Sequence, residues 1–238
     1  MNKSSLNPKS FRLNTDLHTH PLGDRYCHSP VGNLSREDLQ DITAYVYHLV
    51  ARGVQVAACT DHDMLDGGLY ARDFAQERNL PVVIIPGSEV SVLGKTQRLH
   101  LLAFNIVSDL PASKMTLWEA SREIHSQGGI AVLAHPVRYP QEINMDPDIL
   151  NFLDGLETVN GLYSIYNTKN LLDSDSRYGR RFIMQTAGSD EHWERDRSES
   201  GISPWTAPHY KVPVEFLIRQ GLIKPDRLSV LDGIHKSD

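Results

Sequence analysis

Cysteine is scarce in this chain. Cys27 and Cys59 are the only two among 238 residues, and Cys59 sits inside an apolar, strand-like run. A disulfide framework is therefore not expected, and the usage fits a cytoplasmic protein. Long apolar runs are also missing. The longest, such as PVVIIP at 81–86, are strand-sized and too short to span a bilayer. The opening stretch MNKSSLNPKSF lacks the apolar segment of a secretory signal. Positive charge is not in excess either. Lys and Arg total 24 against 30 Asp and Glu, a formal net charge of −6. That argues against a broad electrostatic footprint on nucleic acid, although a local basic pocket remains open. No repeat, low-complexity tract or obvious linker breaks the sequence. One domain is the simplest reading, with a core over about residues 11–200 and residues 201–238 as an elaboration that covers an edge or a site.

What is present is an alternation of short apolar runs with helix-like segments. Candidate strands are 11–17, 54–61, 82–89, 99–105, 130–135, 155–160 and 182–188. SREDLQDITAYVYHLVARG reads as a helix, with Ser35 as N-cap, Asp38 three residues on and Gly53 beyond the end. LYARDFAQERN and TLWEASREIHSQGG are further amphipathic candidates, DPDILNFL and TKNLLDSDSRYGRR shorter ones, and VEFLIRQG a last short helix. Seven strands alternating with helices predict an α/β architecture with a parallel sheet.

Histidine is the residue that stands out, with eleven copies. In α/β barrels and doubly wound sheets, reactive groups gather where strands end. The first candidate strand ends in His18 and His20, with Asp24 in the following loop; side chains at i and i+2 share a face and can converge. The second ends in TDHD (Asp61, His62, Asp63) and the third in GSEVS (Glu89). The fourth begins with His100, the fifth ends in His135, the sixth carries Glu157 and Asn160, and the seventh leads into Asp190 and His192. A lone histidine on an apolar strand is usually a hydrogen-bonded core residue, and an Asp after Gly-Ser is usually a turn residue. A metal-competent group at nearly every strand end is not what packing alone produces. The mixed nitrogen and oxygen donors suit Zn²⁺, Mn²⁺ or Fe better than Ca²⁺ or Mg²⁺. They are too many for one ion and predict two or three, bridged by Glu89 and a hydroxide, a centre suited to hydrolysis.

The ordered set DLHTH, TDHD, GSEVS, HLLAF, AHP and GSDEH, from residue 16 to 192, resembles the PHP family, the polymerase and histidinol phosphatase domains. The resemblance implies a distorted seven-stranded (β/α) barrel, a trinuclear metal site at the C-terminal ends of the strands, and phosphoester hydrolysis. It implies the ligands His18, His20, His62, Glu89, His100, His135, Asp190 and His192. Many similar members place an Asp five residues after the second histidine. Here Asp24 stands at four and His28 at eight, and Asp24 is favoured. Asp16 and Asp61 are expected to orient ligand histidines rather than bind metal.

Phosphate also calls for cations. Arg138, three residues past His135, is the best candidate for bidentate contact, with Arg195 and Arg197 as others. Asn160 is expected to touch substrate. His48, His125, His209 and His235 are read as surface or structural, and His209 reaches the site only if the C-terminal segment folds over it. The expected chemistry is attack by a metal-bound hydroxide on a small phosphomonoester or nucleotide. Arg138 and the other ions neutralise the oxygens, and His135, Asp190 or His192 assist the leaving group. Exonuclease and histidinol phosphate phosphatase activities stay within this class. The alternatives are a C–N hydrolase of the amidohydrolase type, which also begins with HxH but usually needs eight strands and a bridging lysine, and a non-catalytic binding module, which would be expected to have lost ligands.

Overall fold

The computed structural model describes residues 12–27, 33–111, 113–145, 151–162, 184–193 and 210–231. Its sheet contains β1 (Arg12–His20), β2 (Val56–Cys59), β3 (Val83–Leu93), β4 (Arg98–Phe104), β5 (Ile130–Leu133), β6 (Gly155–Asn160), β7 (Met184–Gly188), β8 (Glu191–His192) and β9 (Tyr210–Pro213). All seven expected strands are present, β6 with the expected bounds and the other six with shifted ends, and β8 and β9 add to them. The strand order is β7-β6-β5-β4-β3-β2-β1-β8, with β9 antiparallel to the start of β1. The two ends of that order, β7 and β8, are separated in the chain only by Ser189 and Asp190. The sheet therefore curls back on itself, giving a mixed α/β fold of the barrel type.

The expected parallel sheet needs one correction. β4 runs antiparallel to both β3 and β5. Residues 94–97 join β3 to β4, and so few residues can make only a hairpin, because a parallel crossover needs a dozen or more. Glu142 in α4 (Pro140–Met145) secures this turn by accepting bonds from the backbone N–H groups of Lys95, Thr96 and Gln97.

α1 (Arg36–Ala51) has the expected capping box between Ser35 and Asp38, and Gly53 follows it at φ +71°. α2 (Asp66–Glu77) and α3 (Leu117–Ser126) also match their sequence patterns, α3 with a second capping box between Thr116 and Glu119. Two apolar clusters cover the helical side of the sheet: Ala57, Cys59 and Ile84 pack with α1 and α2, and Leu101, Ala103 and Leu133 pack with α3. Side chains of opposite parity (Val56, Ala58, Ile85, Leu102, Phe104 and Val132) form a third cluster with no residue of α1, α2 or α3. That inner face is sealed by Val214 and Leu217 of α5 (Val214–Arg219) together with Leu222, Ile223 and Leu231. The described part of the C-terminal elaboration thus covers the edge at the beginning of β1 and the inner apolar core. The candidate helix at 168–181 and residues 146–150 of DPDILNFL lie outside the described residues.

Candidate metal centre

The inner face is apolar toward the strand beginnings and carries ionisable side chains at the other end. On β3 the same parity runs from Ile85 through Gly87 to Glu89, and on the reversed β4 from Phe104 through Leu102 to His100. The reversal explains why His100 stands near the start of its strand while its partners stand at strand ends. β1 needs a local irregularity. Leu17 belongs to the inner cluster, and a strict period of two would send His18 to the other face. The register against β2 shifts between Asp16 and Thr19, which re-aims the side chains that follow. A turn closed by the Gly23 N–H to the His20 carbonyl at 3.0 Å, with Gly23 at φ +59°, then brings Asp24 back toward the strand. Two of the converging residues have left-handed backbones, His135 at φ 29° and Asp190 at φ 58°, a conformation that concentrates where function over-determines the chain.

Glu89 is the hub. Its Oε1 lies 2.8 Å from His100 Nδ1 and 2.9 Å from His135 Nε2. Its Oε2 lies 3.0 Å from His62 Nδ1, 3.3 Å from His20 Nε2 and 3.5 Å from His18 Nε2. Asp190 Oδ1 is 3.2 Å from His20 Nε2 and 3.4 Å from His18 Nε2, and those two nitrogens are 3.1 Å apart. His62 Nε2 and His192 Nε2 face each other at 3.3 Å, with Asp24 Oδ1 at 3.5 Å from the first and 3.1 Å from the second. Among the described residues the donors form three overlapping groups: His18, His20, Glu89 and Asp190; His62, Glu89 and His100; and His20, His62 and His192. The structure thus brings together all nine residues named from sequence as ligands. His28 lies outside the described residues.

These separations fit metal ions. Two donors bound at about 2.1 Å to one ion lie roughly 3.0–3.4 Å apart at octahedral to tetrahedral angles. Hydrogen bonding leaves the donors underused: His20 Nδ1 is buried without a hydrogen-bond partner, and the buried His62 Nδ1 and Glu89 Oε2 meet only in ion pairs within the cluster. Burial opposes ionisation of Glu89, but His100 and His18 hold its carboxyl well below the usual range. Burial also works against a charge on His62, yet Asp24 and Glu89 push it up to about 11. His20 goes the other way, to about 4, through burial and the neighbouring His192 and His62, which leaves its lone pair free to coordinate at neutral pH. A site that draws protons so strongly is one that accommodates cations.

A buried carboxylate behind the ligands was not assigned a role from sequence. Glu157 places Oε1 3.0 Å from His18 Nδ1, while its Oε2 accepts the His135 backbone N–H at 2.7 Å and the Asn160 side-chain amide at 2.9 Å. It fixes the ring orientation of one candidate ligand and the backbone of another. Asn160 also donates to Asp190 Oδ2 at 3.2 Å. Strict alternation would put Glu157 and Asn160 on opposite faces, and a register shift between Glu157 and Val159 brings them together.

Asp16 and Asp61 do not orient histidine rings, contrary to the expectation. Asp16 accepts the Ser189 N–H at 2.8 Å, and Asp61 accepts the Leu22 N–H at 2.8 Å, so both brace backbone. Burial raises their carboxyls to about 6 and about 7 respectively. Asp63 braces β3 by accepting the Ser91 N–H at 2.6 Å.

Arg138 is exposed, with its guanidinium carbon 6.0 Å from the centre of the Tyr139 ring, which in turn lies 5.6 Å from the His135 ring. His48 and His125 lie in helices away from the cluster, beside Glu191 and Asp154 respectively. Arg195, Arg197, His209 and His235 lie outside the described residues. No helix among the described residues is long and apolar enough to cross a membrane.

No family model matches the chain. An uncharacterised protein of Methanocaldococcus jannaschii is 29% identical over 112 residues, 47% of this chain and 61% of that protein, so the match spans less than two thirds of the relative. Solved structures agree more broadly. A candidate metal-dependent phosphoesterase from Bifidobacterium adolescentis superposes with a TM-score of 0.59 at 15% identity, over 86% of this chain and 94% of its own. A two-domain protein from Bacteroides vulgatus, containing a predicted PHP-like metal-dependent phosphoesterase, gives 0.55 at 17% identity over 81% of this chain and 55% of its own. An amidohydrolase from Chromobacterium violaceum, with bound sulfate and no metal, gives 0.58 at 19% identity over 91% of this chain and 95% of its own. The likeness is one of fold. It is shared with structures described as metal-dependent phosphoesterases and with one described as an amidohydrolase.

Proposed function

We propose that this chain is a metal-dependent phosphoesterase that hydrolyses a small phosphomonoester or nucleotide at a centre of two to three divalent ions, Zn²⁺, Mn²⁺ or Fe. The observation that carries this reading is Glu89, a fully buried carboxylate whose two oxygens face five different histidines at 2.8–3.5 Å. Such a carboxylate, with the histidines around it, would hold divalent cations. When bound, the ions supply Lewis acidity, a water of lowered pKa and a clamp for phosphoryl oxygens.

The chain's own residues do the rest. Glu157 fixes His18, and the Asp190 carbonyl 2.9 Å from His192 Nδ1 fixes the ring of His192. Asp190 and His192 have both donor atoms engaged within the cluster, so their part is to hold ions rather than to protonate a leaving group. Asn160 positions Glu157 and Asp190. Arg138, exposed and 6.0 Å from the Tyr139 ring that neighbours His135, is the cation we assign to substrate oxygens. A net charge of −6 favours a small phosphorylated substrate over a nucleic-acid polymer.

The amidohydrolase description of the Chromobacterium violaceum neighbour keeps C–N hydrolysis as the second reading. Against it, β4 (RLHLLAF) contributes His100 to the cluster and carries no lysine. The test is elemental analysis of the purified chain, alongside hydrolysis of an aryl phosphate and an N-acyl amide with and without Mn²⁺ or Zn²⁺. Two to three ions, with phosphatase activity abolished in His20→Ala, are expected. One ion or none, without phosphatase activity under any metal, overturns the reading, and amide hydrolysis in its place installs the second.

A further inference from the structure

One face of α1, continued by Arg52 just past its end, carries ionisable residues where an apolar stripe would be ordinary. Asp38, Asp41, Tyr45, His48 and Arg52 follow one another at spacings of three and four residues, so they line a single side of the helix. Asp38, Asp41 and Tyr45 are buried. The acids lie toward the N-terminus and the bases toward the C-terminus, as the helix dipole favours.

Each end of this stripe grips the sequence neighbour of a candidate ligand. At the acidic end, the Arg25 guanidinium forks across Asp38 and Asp41, with Nη2 2.8 Å from Asp41 Oδ2, and Tyr26 donates to Asp38 at 2.6 Å. At the basic end, the buried Glu191 accepts from Arg52 at 3.1 Å and from the Tyr45 hydroxyl at 3.5 Å, and lies 3.4 Å from His48 Nε2. Arg25 follows Asp24, and Glu191 precedes His192. The two ligands so held meet at 3.1 Å, Asp24 Oδ1 to His192 Nε2. Asp24 has a side chain 58% exposed, so little apolar packing fixes it.

We infer that α1 is a brace for the metal position formed by Asp24, His62 and His192, and that Arg25 and Glu191 are the positioning residues that set it. This rests on the metal-centre reading but not on the substrate. The remaining donor groups are built from β1, β3, β4 and the chain around His135 and Asp190, and do not depend on the fork to Arg25. Loss of the Arg25 anchor is therefore selective for one ion, whereas Glu191 stands between Asp190 and His192 and its loss reaches the ions held by both. Residues that orient ligands are typically worth 10–100-fold in metal affinity.

The test is calorimetric titration of Mn²⁺ or Zn²⁺ into the metal-free full chain for wild type, Arg25→Met, Glu191→Gln and the double variant Arg25→Met/Asp41→Asn. Amide hydrogen exchange is followed over 21–27 and 189–193. Arg25→Met is expected to weaken one ion by about tenfold or more and to leave the others within about twofold, and Glu191→Gln to weaken that same ion together with the one held by Asp190. The double variant should lose no more than Arg25→Met, because Asp41 acts through Arg25. Exchange in metal-free protein should quicken over 21–27 in Arg25→Met and over 189–193 in Glu191→Gln. Unchanged affinities, or equal weakening of every ion with a lowered melting temperature, overturn the brace. If the wild type takes up no ion, the metal reading fails separately, and unchanged exchange in both variants then overturns the brace on its own.

Discussion

Glu157 illustrates what single residues contribute and how far they can be read in advance. Its acidity and its place on β6 are visible in the sequence, but its face is not, because the register shift between Glu157 and Val159 depends on pairing with β7. The same holds for Asp16 and Asp61, whose backbone bonds to Ser189 and Leu22 join segments far apart in the chain. The candidate ligands were legible because metal chemistry restricts such groups to a few residue types, most of them here near strand ends. Glu157→Gln keeps the size of the side chain and removes its charge, leaving one oxygen to serve His18 Nδ1 and the His135 N–H together. Metal affinity should fall about 10–100-fold, while the stability of the metal-free protein changes by only about 1–2 kcal/mol. Metal titration beside urea denaturation checks this, and an unaltered affinity would show that Glu157 does not orient His18.

Elements were legible wherever local chemistry decides them. The capping boxes of α1 and α3 are written within four residues. The direction of β4 is not, since apolar alternation reads the same both ways, and only the short 94–97 connection betrays the hairpin. Two consequences belong to this scale. Burial opposes ionisation of Asp38 at the start of α1, but donors from Tyr26, Ser35 and Arg25 outweigh it and hold the carboxyl near 2 against an ordinary 3.8. A depressed carboxyl contributes stability that is present above the ordinary value and is lost as pH falls through the folded one. Metal-free protein should therefore lose about 2 kcal/mol between pH 4 and pH 2 from this group, and Asp38→Asn should flatten that part of the urea-midpoint profile; an unchanged slope refutes the assignment. At the other side of the sheet, β7 approaches β1 so closely that a Cβ on Gly188 would stand 2.3 Å from His18 Cβ and 2.6 Å from His18 N. Backbone cannot yield there. Gly188→Ala should cost about 1–3 kcal/mol, lowering the melting temperature by roughly 3–10 °C, and a shift within 1 °C would mean that β7 stands farther from β1.

At the scale of the molecule, one inner face carries an apolar core sealed by the C-terminal segment and, beyond it, Glu89, Glu157 and Asp190 buried together with five histidines, His18, His20, His62, His135 and His192. The sequence order of the motifs foretold this gathering, because curling a sheet brings its strand ends to one rim. The curl's extent and the β8 and β9 pairings rest on contacts between distant segments and were not legible. Carboxylates buried so closely repel one another and lose hydration, which the surrounding imidazolium protons offset only in part. Divalent ions offset it more completely, and an ion at a hundred times its dissociation constant stabilises the folded state by about 2.7 kcal/mol. For a chain of this length that corresponds to roughly 5–10 °C in melting temperature per ion. Thermal melts with a chelator, then with Mn²⁺ or Zn²⁺ restored, should show a rise of that size, and His20→Ala, which removes a donor from two of the three groups, should show a much smaller one. A melting temperature indifferent to chelator and metal alike would mean that the cluster is held by its protons, and the hydrolytic reading would lose its foundation.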